Sequence, residues 1–111
     1  MSATPWDIIT LMRLAERIRR PLRRYEDAVR TCTRTYTDSD ENNAAQERGN
    51  AALREVRHAV REWVAVYDQG CVRAALEAVM GEEIELTEIQ PDPYPGWVKI
   101  FCQTYREAGP S

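Results

Sequence analysis

Apolar residues at Ile8, Leu11, Ala15, Ile18, Leu22, Tyr25, Val29, Cys32 and Tyr36 follow one another at steps that alternate strictly between three and four. That spacing lays one apolar stripe down a helix and predicts a second helix packed along its length. The register passes through Pro21 without losing phase. A proline there removes one backbone hydrogen bond and crowds the carbonyl four residues back, so a kink near Arg17 to Arg20 is expected rather than an end. Thr4-Pro5-Trp6-Asp7 reads as the start, with a capping threonine, a proline suited to the first helical position and an acid at the third.

Leu53, Val56, Val60, Trp63 and Tyr67 form a second stripe with the same alternating steps. Thr37 to Asn43, between the two, is made of turn and capping residues. The stripes match as an antiparallel hairpin of helices over about 4–36 and 41–68. Gly49 costs about 1 kcal/mol relative to alanine inside a helix, so the first turns of the second helix are expected to fray or to form a separate short helix. Ile9, Met12 and Leu14 widen the apolar face of the first helix, and Val64 and Val66 widen that of the second. Antiparallel pairing brings these wide ends together. A thick core is expected there, and a thin, alanine-rich end at the connecting loop.

Cys71 to Met80 predicts a third helix, with Val72, Ala75, Leu76 and Val79 inward and Gly81 closing it. Asp68-Gln69-Gly70 reads as the stop before it. Ile84 and Leu86 then alternate with Glu83, Glu85 and Thr87 as in a strand, but Ile89 breaks the pattern. Pro91 to Gly96 must be an extended loop. Trp97, Phe101 and Tyr105 step by four, which suits a C-terminal helix over 97–107. A hairpin of 84–89 with 97–103 is the alternative, disfavoured because one isolated two-stranded ribbon is marginal in water. The chain thus reads as all-α, a small bundle built on a long Pro-kinked hairpin, with 1–111 as one domain. Its 111 residues, 43% apolar and 30% charged, suit a single globular unit.

Several functions are disfavoured. No run approaches the roughly 18 apolar residues of a membrane span, and Met1 to Asp7 lack a secretory signal, so a cytoplasmic protein with no membrane partner is expected. Cys32, Cys71 and Cys102 include no C-x-x-C pair, which disfavours a zinc or redox motif and reads as three reduced thiols. Glu55-x-x-His58 with Glu62 one turn on resembles half of a di-iron site, but that site needs a second such motif. His58 is the only histidine, and the stripe places these residues opposite the core. A solvated charged face is the favoured reading, with no metal and no cofactor. Ser2, Ser39 and Ser111 lie at termini or in a loop, and the glycines are too dispersed for a phosphate loop. The expected protein is non-catalytic.

Charge is distributed unevenly. Eight arginines lie between Arg13 and Arg34, and six acids with no base between Glu77 and Asp92. Arg13, Arg17, Arg20 and Arg24 step by four, three and four, a row read as lying away from the stripe. Such a row suits docking on an acidic protein or tracking phosphates. The net charge of −3 and the lack of interleaved aromatics disfavour nucleic acid. Trp6, Trp63, Tyr67, Trp97, Phe101 and Tyr105 are assigned to the thick end, mostly as core. Tyr94 and Trp97, in the Pro-Tyr-Pro-Gly-Trp turn, are also candidate binding anchors, although a loop folded onto the bundle by its own aromatics is the favoured account.

The function expected from these features is a protein–protein interaction module. An adaptor or small inhibitor of a larger assembly is typical of such acidic, stand-alone domains, phage- or mobile-element-encoded ones included. A nucleic-acid-binding protein using Arg13 to Arg24 is the alternative. Two narrow stripes and one thick end are hard to bury in a chain of this size. The pattern therefore raises self-association along the hairpin, as a homodimer, as a hypothesis.

Overall fold

The computed structural model of the chain describes residues 3–108, so Ser2 and Ser111 lie outside the described residues. Four helices are present among these residues, with no strand: α1 (Pro5–Arg34), α2 (Asp40–Val64), α3 (Gln69–Met80) and α4 (Gly96–Ala108). α1 and α2 form the long hairpin, α3 packs on α1, and α4 packs on α2 and α1. The molecule measures 49 × 24 × 24 Å, its long axis set by α1 at ~1.5 Å per residue. The C-terminal segment is a helix, as preferred over the strand.

α1 runs unbroken through Pro21, whose ring is buried. Its buried row is Leu11, Leu14, Ile18, Pro21 and Ala28, with Tyr25 and Cys32 half-buried between and beyond them. These steps also alternate between three and four, but every second member lies one residue earlier than expected. Val29 is 43% exposed and Tyr36 89% exposed, which corrects their assignment to the seam. The reason is steric. At Pro21 and Ala28 close helix approach favours the compact residue on the facing row over Leu22 and Val29, whereas at the thick end the core takes Leu14 over the smaller Ala15.

α2 shows the same substitution of small for large. Its buried row is Asn42, Ala45, Gly49, Ala52, Val56, Ala59 and Trp63, with Val60 also buried. Gly49 neither frays nor divides the helix. A Cβ at that position would stand 3.2 Å from the Ala28 Cβ, so glycine lets α2 pack tightly on Ala28 of α1. Arg17 reaches Glu62 and Arg24 reaches Glu55. Residues seven apart on α1 thus meet residues seven apart on α2, running oppositely.

Asn42 fastens the tip of the hairpin. Its Nδ2 donates to the Cys32 carbonyl at 3.1 Å and to Thr35 Oγ1 at 3.0 Å, satisfying a carbonyl that the end of α1 leaves without a helical partner. Ser39 Oγ accepts from the Asn42 N–H at 3.1 Å and caps α2.

α2 ends at Val64, earlier than the expected boundary near 68. Asp68 is the cap of α3 rather than part of a stop: its carboxylate accepts from the Cys71 N–H at 2.8 Å. Gly81, at φ 76°, closes α3 in the left-handed region that favours glycine. Ile84 and Leu86 are buried while Glu83, Glu85 and Thr87 are exposed. The alternation in the sequence therefore records burial on one side of a loop that turns at Leu86 and Thr87, without a sheet.

The core joins Leu11, Leu14 and Ile18 of α1, Val56 to Trp63 of α2, Val72 to Leu76 of α3, Ile84, Leu86, and Val98 to Tyr105 of α4. This is the thick end expected. Trp63 stacks on Tyr67 at 4.4 Å and meets Phe101 edge-on at 5.9 Å. Trp6 is a correction: it is 73% exposed and outside the core.

Two caps carry a pH dependence. Asp7 accepts from the Thr4 backbone N–H at 2.7 Å and the Thr4 hydroxyl at 2.9 Å, which holds its carboxyl below the ordinary 3.8. The Cys71 N–H holds Asp68 below 3.8 in the same way. Because each folded-state pKa lies below the unfolded one, their stabilisation is complete above about pH 4 and is lost as pH falls through the folded values. Thermal midpoints measured across that window should fall on acidification. Asp68→Asn, which keeps a neutral cap, should flatten the fall; an unaltered slope would show that the Asp68 cap does not contribute.

Candidate functional site

The corrected seam moves the arginine row. Trp6, Thr10, Arg13, Arg17, Arg20 and Arg24 step by four, three, four, three and four, so they share one face of α1. That face lies beside the seam rather than opposite it, close enough for Arg17 and Arg24 to cross to α2. Arg17 lies 3.4 Å from Glu62 and Arg24 lies 2.9 Å from Glu55. Both pairs are more than half exposed, where such contacts contribute up to about 1 kcal/mol each. They fix the side chains in place more than they hold the fold together.

Arg13 and Arg20 have no ion-pair partner among the described residues. The row therefore alternates between neutralised and available guanidinium groups. Two open grooves follow it. One of about 270 Å³ runs between Arg13 and Arg17 on one wall and Glu62 and Trp63 on the other. The next, of about 430 Å³, is lined by Arg24 and Arg48, by Asp27 and Glu55, and by Ala28 and Ala52.

The Glu55–His58–Glu62 cluster is accounted for by the same contacts. Glu55 is held by Arg24; Glu62 is held by Arg17 and by His58, whose Nε2 is 3.0 Å away. Among the described residues no three His, Cys, Asp or Glu side chains are grouped to hold a metal ion.

Exposed apolar side chains adjoin the free end of the row. Trp6 at 73%, Met12 at 54% and the more sheltered but exposed Ile9 stand on the outer side of the first turns of α1. Sequence reading missed them because large apolar residues at the thick end resemble core. The one legible signal was that Trp6 falls on the arginine register. Large aromatic, methionine and arginine side chains in one patch are the composition enriched in protein interfaces.

Tyr94 and Trp97 are half-buried and pack against the core. The Tyr94 hydroxyl bonds to Glu82, which raises its pKa above the ordinary 10.0. Trp97 lies with Gly96 against Ala15 and Leu22 of α1, far along the helix from Trp6. The two aromatics of the proline loop are thus placed as bundle contacts, apart from the arginine flank.

No described helix is long and apolar enough to cross a membrane. No protein-family model, curated protein or solved structure matches the chain. The fold defines a class only: a small, all-helical bundle on a two-helix spine.

Proposed function

We propose that this chain is a non-catalytic protein–protein interaction module, an adaptor or small inhibitor that docks on a larger protein assembly through the outer flank of α1. The observation that carries the reading is Trp6, 73% exposed at the head of a row containing the free charges of Arg13 and Arg20. An aromatic anchor beside desolvatable arginines is the usual make-up of a binding hot spot. The partner surface then offers an apolar recess for Trp6 and carboxylates for the arginines. A cytoplasmic location suits three cysteines that remain free thiols.

Nucleic acid through Arg13 to Arg24 is the alternative. Glu62 and Glu55 weigh against it by neutralising Arg17 and Arg24. Titration with duplex and single-stranded nucleic acid at two salt concentrations separates the readings: salt-sensitive binding at low ionic strength supports the alternative, and none removes it.

Arg13→Glu with Arg20→Glu disturbs no ion pair of the hairpin. The double variant should therefore keep the wild-type thermal midpoint while weakening partner binding by at least about thirtyfold, the equivalent of a 2 kcal/mol hot spot. Wild-type binding in a folded variant would return these arginines to an ordinary solvated face.

A further inference from the structure

Two grooves of the α1–α2 hairpin lie end to end as one furrow. The first takes Thr10, Arg13, Leu14 and Arg17 from α1, with Ala59 and Glu62 from α2. The second takes Arg24, Asp27 and Ala28 from α1, with Arg48, Ala52 and Glu55 from α2. The α1 members keep the register of the arginine row, and Arg48, Glu55 and Glu62 repeat every seven residues on α2. Both grooves therefore open on the same side of the hairpin. Among the described residues, none of α3 or α4 lines either groove. α4 lies on the other side, against Ala15 and Leu22 of α1 and, through Glu107, against Arg57 of α2. From Thr10 to Thr31 the open side runs about 32 Å at ~1.5 Å per residue.

We propose that this furrow seats one amphipathic, acidic helix of a partner protein. The inference rests on the docking reading above and gives that partner its chemistry. Every carboxylate of the furrow is already engaged: Glu62 by Arg17 and His58, Glu55 by Arg24, and Asp27 by Arg30. Arg13, Arg20 and Arg48 have no ion-pair partner among the described residues. The charges left for an occupant are thus all positive, on a chain whose net charge is −3. Complementarity calls for carboxylates, and their spacing selects a helix. Arg13 and Arg20 stand about 10.5 Å apart along α1 at ~1.5 Å per residue. Carboxylates seven residues apart on a helix lying along α1 repeat that distance on one stripe. An extended strand presents same-side residues about 6.8 or 13.6 Å apart, at ~3.4 Å per residue, and falls out of step. The buried lining is compact, with Ala28, Ala52 and Ala59 at most 4% exposed. Small side chains there let a third helix approach closely, in the helix-in-groove mode.

The test is selection on the immobilised full chain from a displayed library of helical peptides of about 21 residues, the length of the furrow. Enriched peptides should carry carboxylates seven residues apart beside an apolar stripe. Ala51 lines the second groove and is exposed, so Ala51→Trp fills the furrow without entering the core. This variant should keep wild-type helicity and thermal midpoint while weakening the enriched peptides at least about tenfold. Arg48→Glu, which breaks no ion pair, should weaken them as well. Failure to enrich any peptide, or enrichment of peptides without the paired carboxylates, overturns the proposal. So does binding indifferent to Ala51→Trp. Sedimentation showing a dimer that Ala51→Trp abolishes would give the furrow to a second copy, which also overturns it. Ala51 lies beside Ala28 and Thr31, toward the opposite end of α1 from Trp6. Indifference to Ala51→Trp therefore fails the furrow alone, while the docking reading stands or falls on Trp6.

Discussion

Phe101→Ala is expected to cost about 3–5 kcal/mol, the range for removing a fully buried aromatic ring. Phe101 is wholly buried in α4 and meets Trp63 of α2 edge-on. It sits where α4 holds the hairpin, so its loss leaves a cavity beside Trp63 of α2. Alanine recovers none of the ring–ring contact, worth about 0.5–1.5 kcal/mol beyond area burial. Against a total stability of about 5–15 kcal/mol, the variant should be partly unfolded at physiological temperature. Urea denaturation of variant and wild type gives the difference directly. A loss below about 1 kcal/mol would mean that α4 does not anchor the core.

Gly49→Leu is expected to cost at least about 1–3 kcal/mol, by overpacking rather than by a cavity. The nearest obstacle to a Cβ there is the Ala28 Cβ at 3.2 Å, an atom fixed to the backbone of α1 that cannot rotate aside. Leucine must therefore drive the two helices apart near Asn42, loosening the bonds that clamp the tip. Gly49→Ala is the internal control. It gains up to about 1 kcal/mol in helix propensity and meets a contact only a few tenths of an ångström too tight, so its net change should be small. Equal effects from alanine and leucine would show that Gly49 has no tight contact with Ala28.

The two glycine variants also mark where the sequence was legible and where it was not. The presence of the helices, the antiparallel pairing and the thick end follow from periodicity, caps and turn residues, all local properties. The rotation of each helix about its axis is not local. Leu11, Ile18, Tyr25 and Cys32 belong to both candidate rows of α1. The choice between Val29 and Ala28, or Leu22 and Pro21, depends on how closely α2 approaches. Hydrophobicity favours Val29 and Leu22; packing selects Ala28 and Pro21. Gly49 was misread for the same reason, as a weak point rather than a contact.

That rotation decided the reading of the candidate site. With the seam shifted, Arg17 and Arg24 face carboxylates of α2 instead of open solvent, and the apparent metal motif becomes their set of counter-ions. Asp68 shows a different ambiguity, since the same residue type ends one element or caps the next. Exposure of Trp6 was not legible because the neighbours that meet the first turn of α1 at Asp7 and Ile8 leave its Trp6 side open. Nothing within the first helix encodes that.

The central claim is that the Trp6–Arg24 flank is the surface this protein presents to its partner. The most direct measurement immobilises the full chain, captures proteins from native host lysate and quantifies them by mass spectrometry in parallel with Trp6→Ala and Ile89→Ala. Ile89 is the control, 52% exposed in the loop and away from the flank. A partner retained by wild type and Ile89→Ala, but reduced at least about tenfold by Trp6→Ala at unchanged helicity, is the result the account predicts. Equal capture by all three would contradict it.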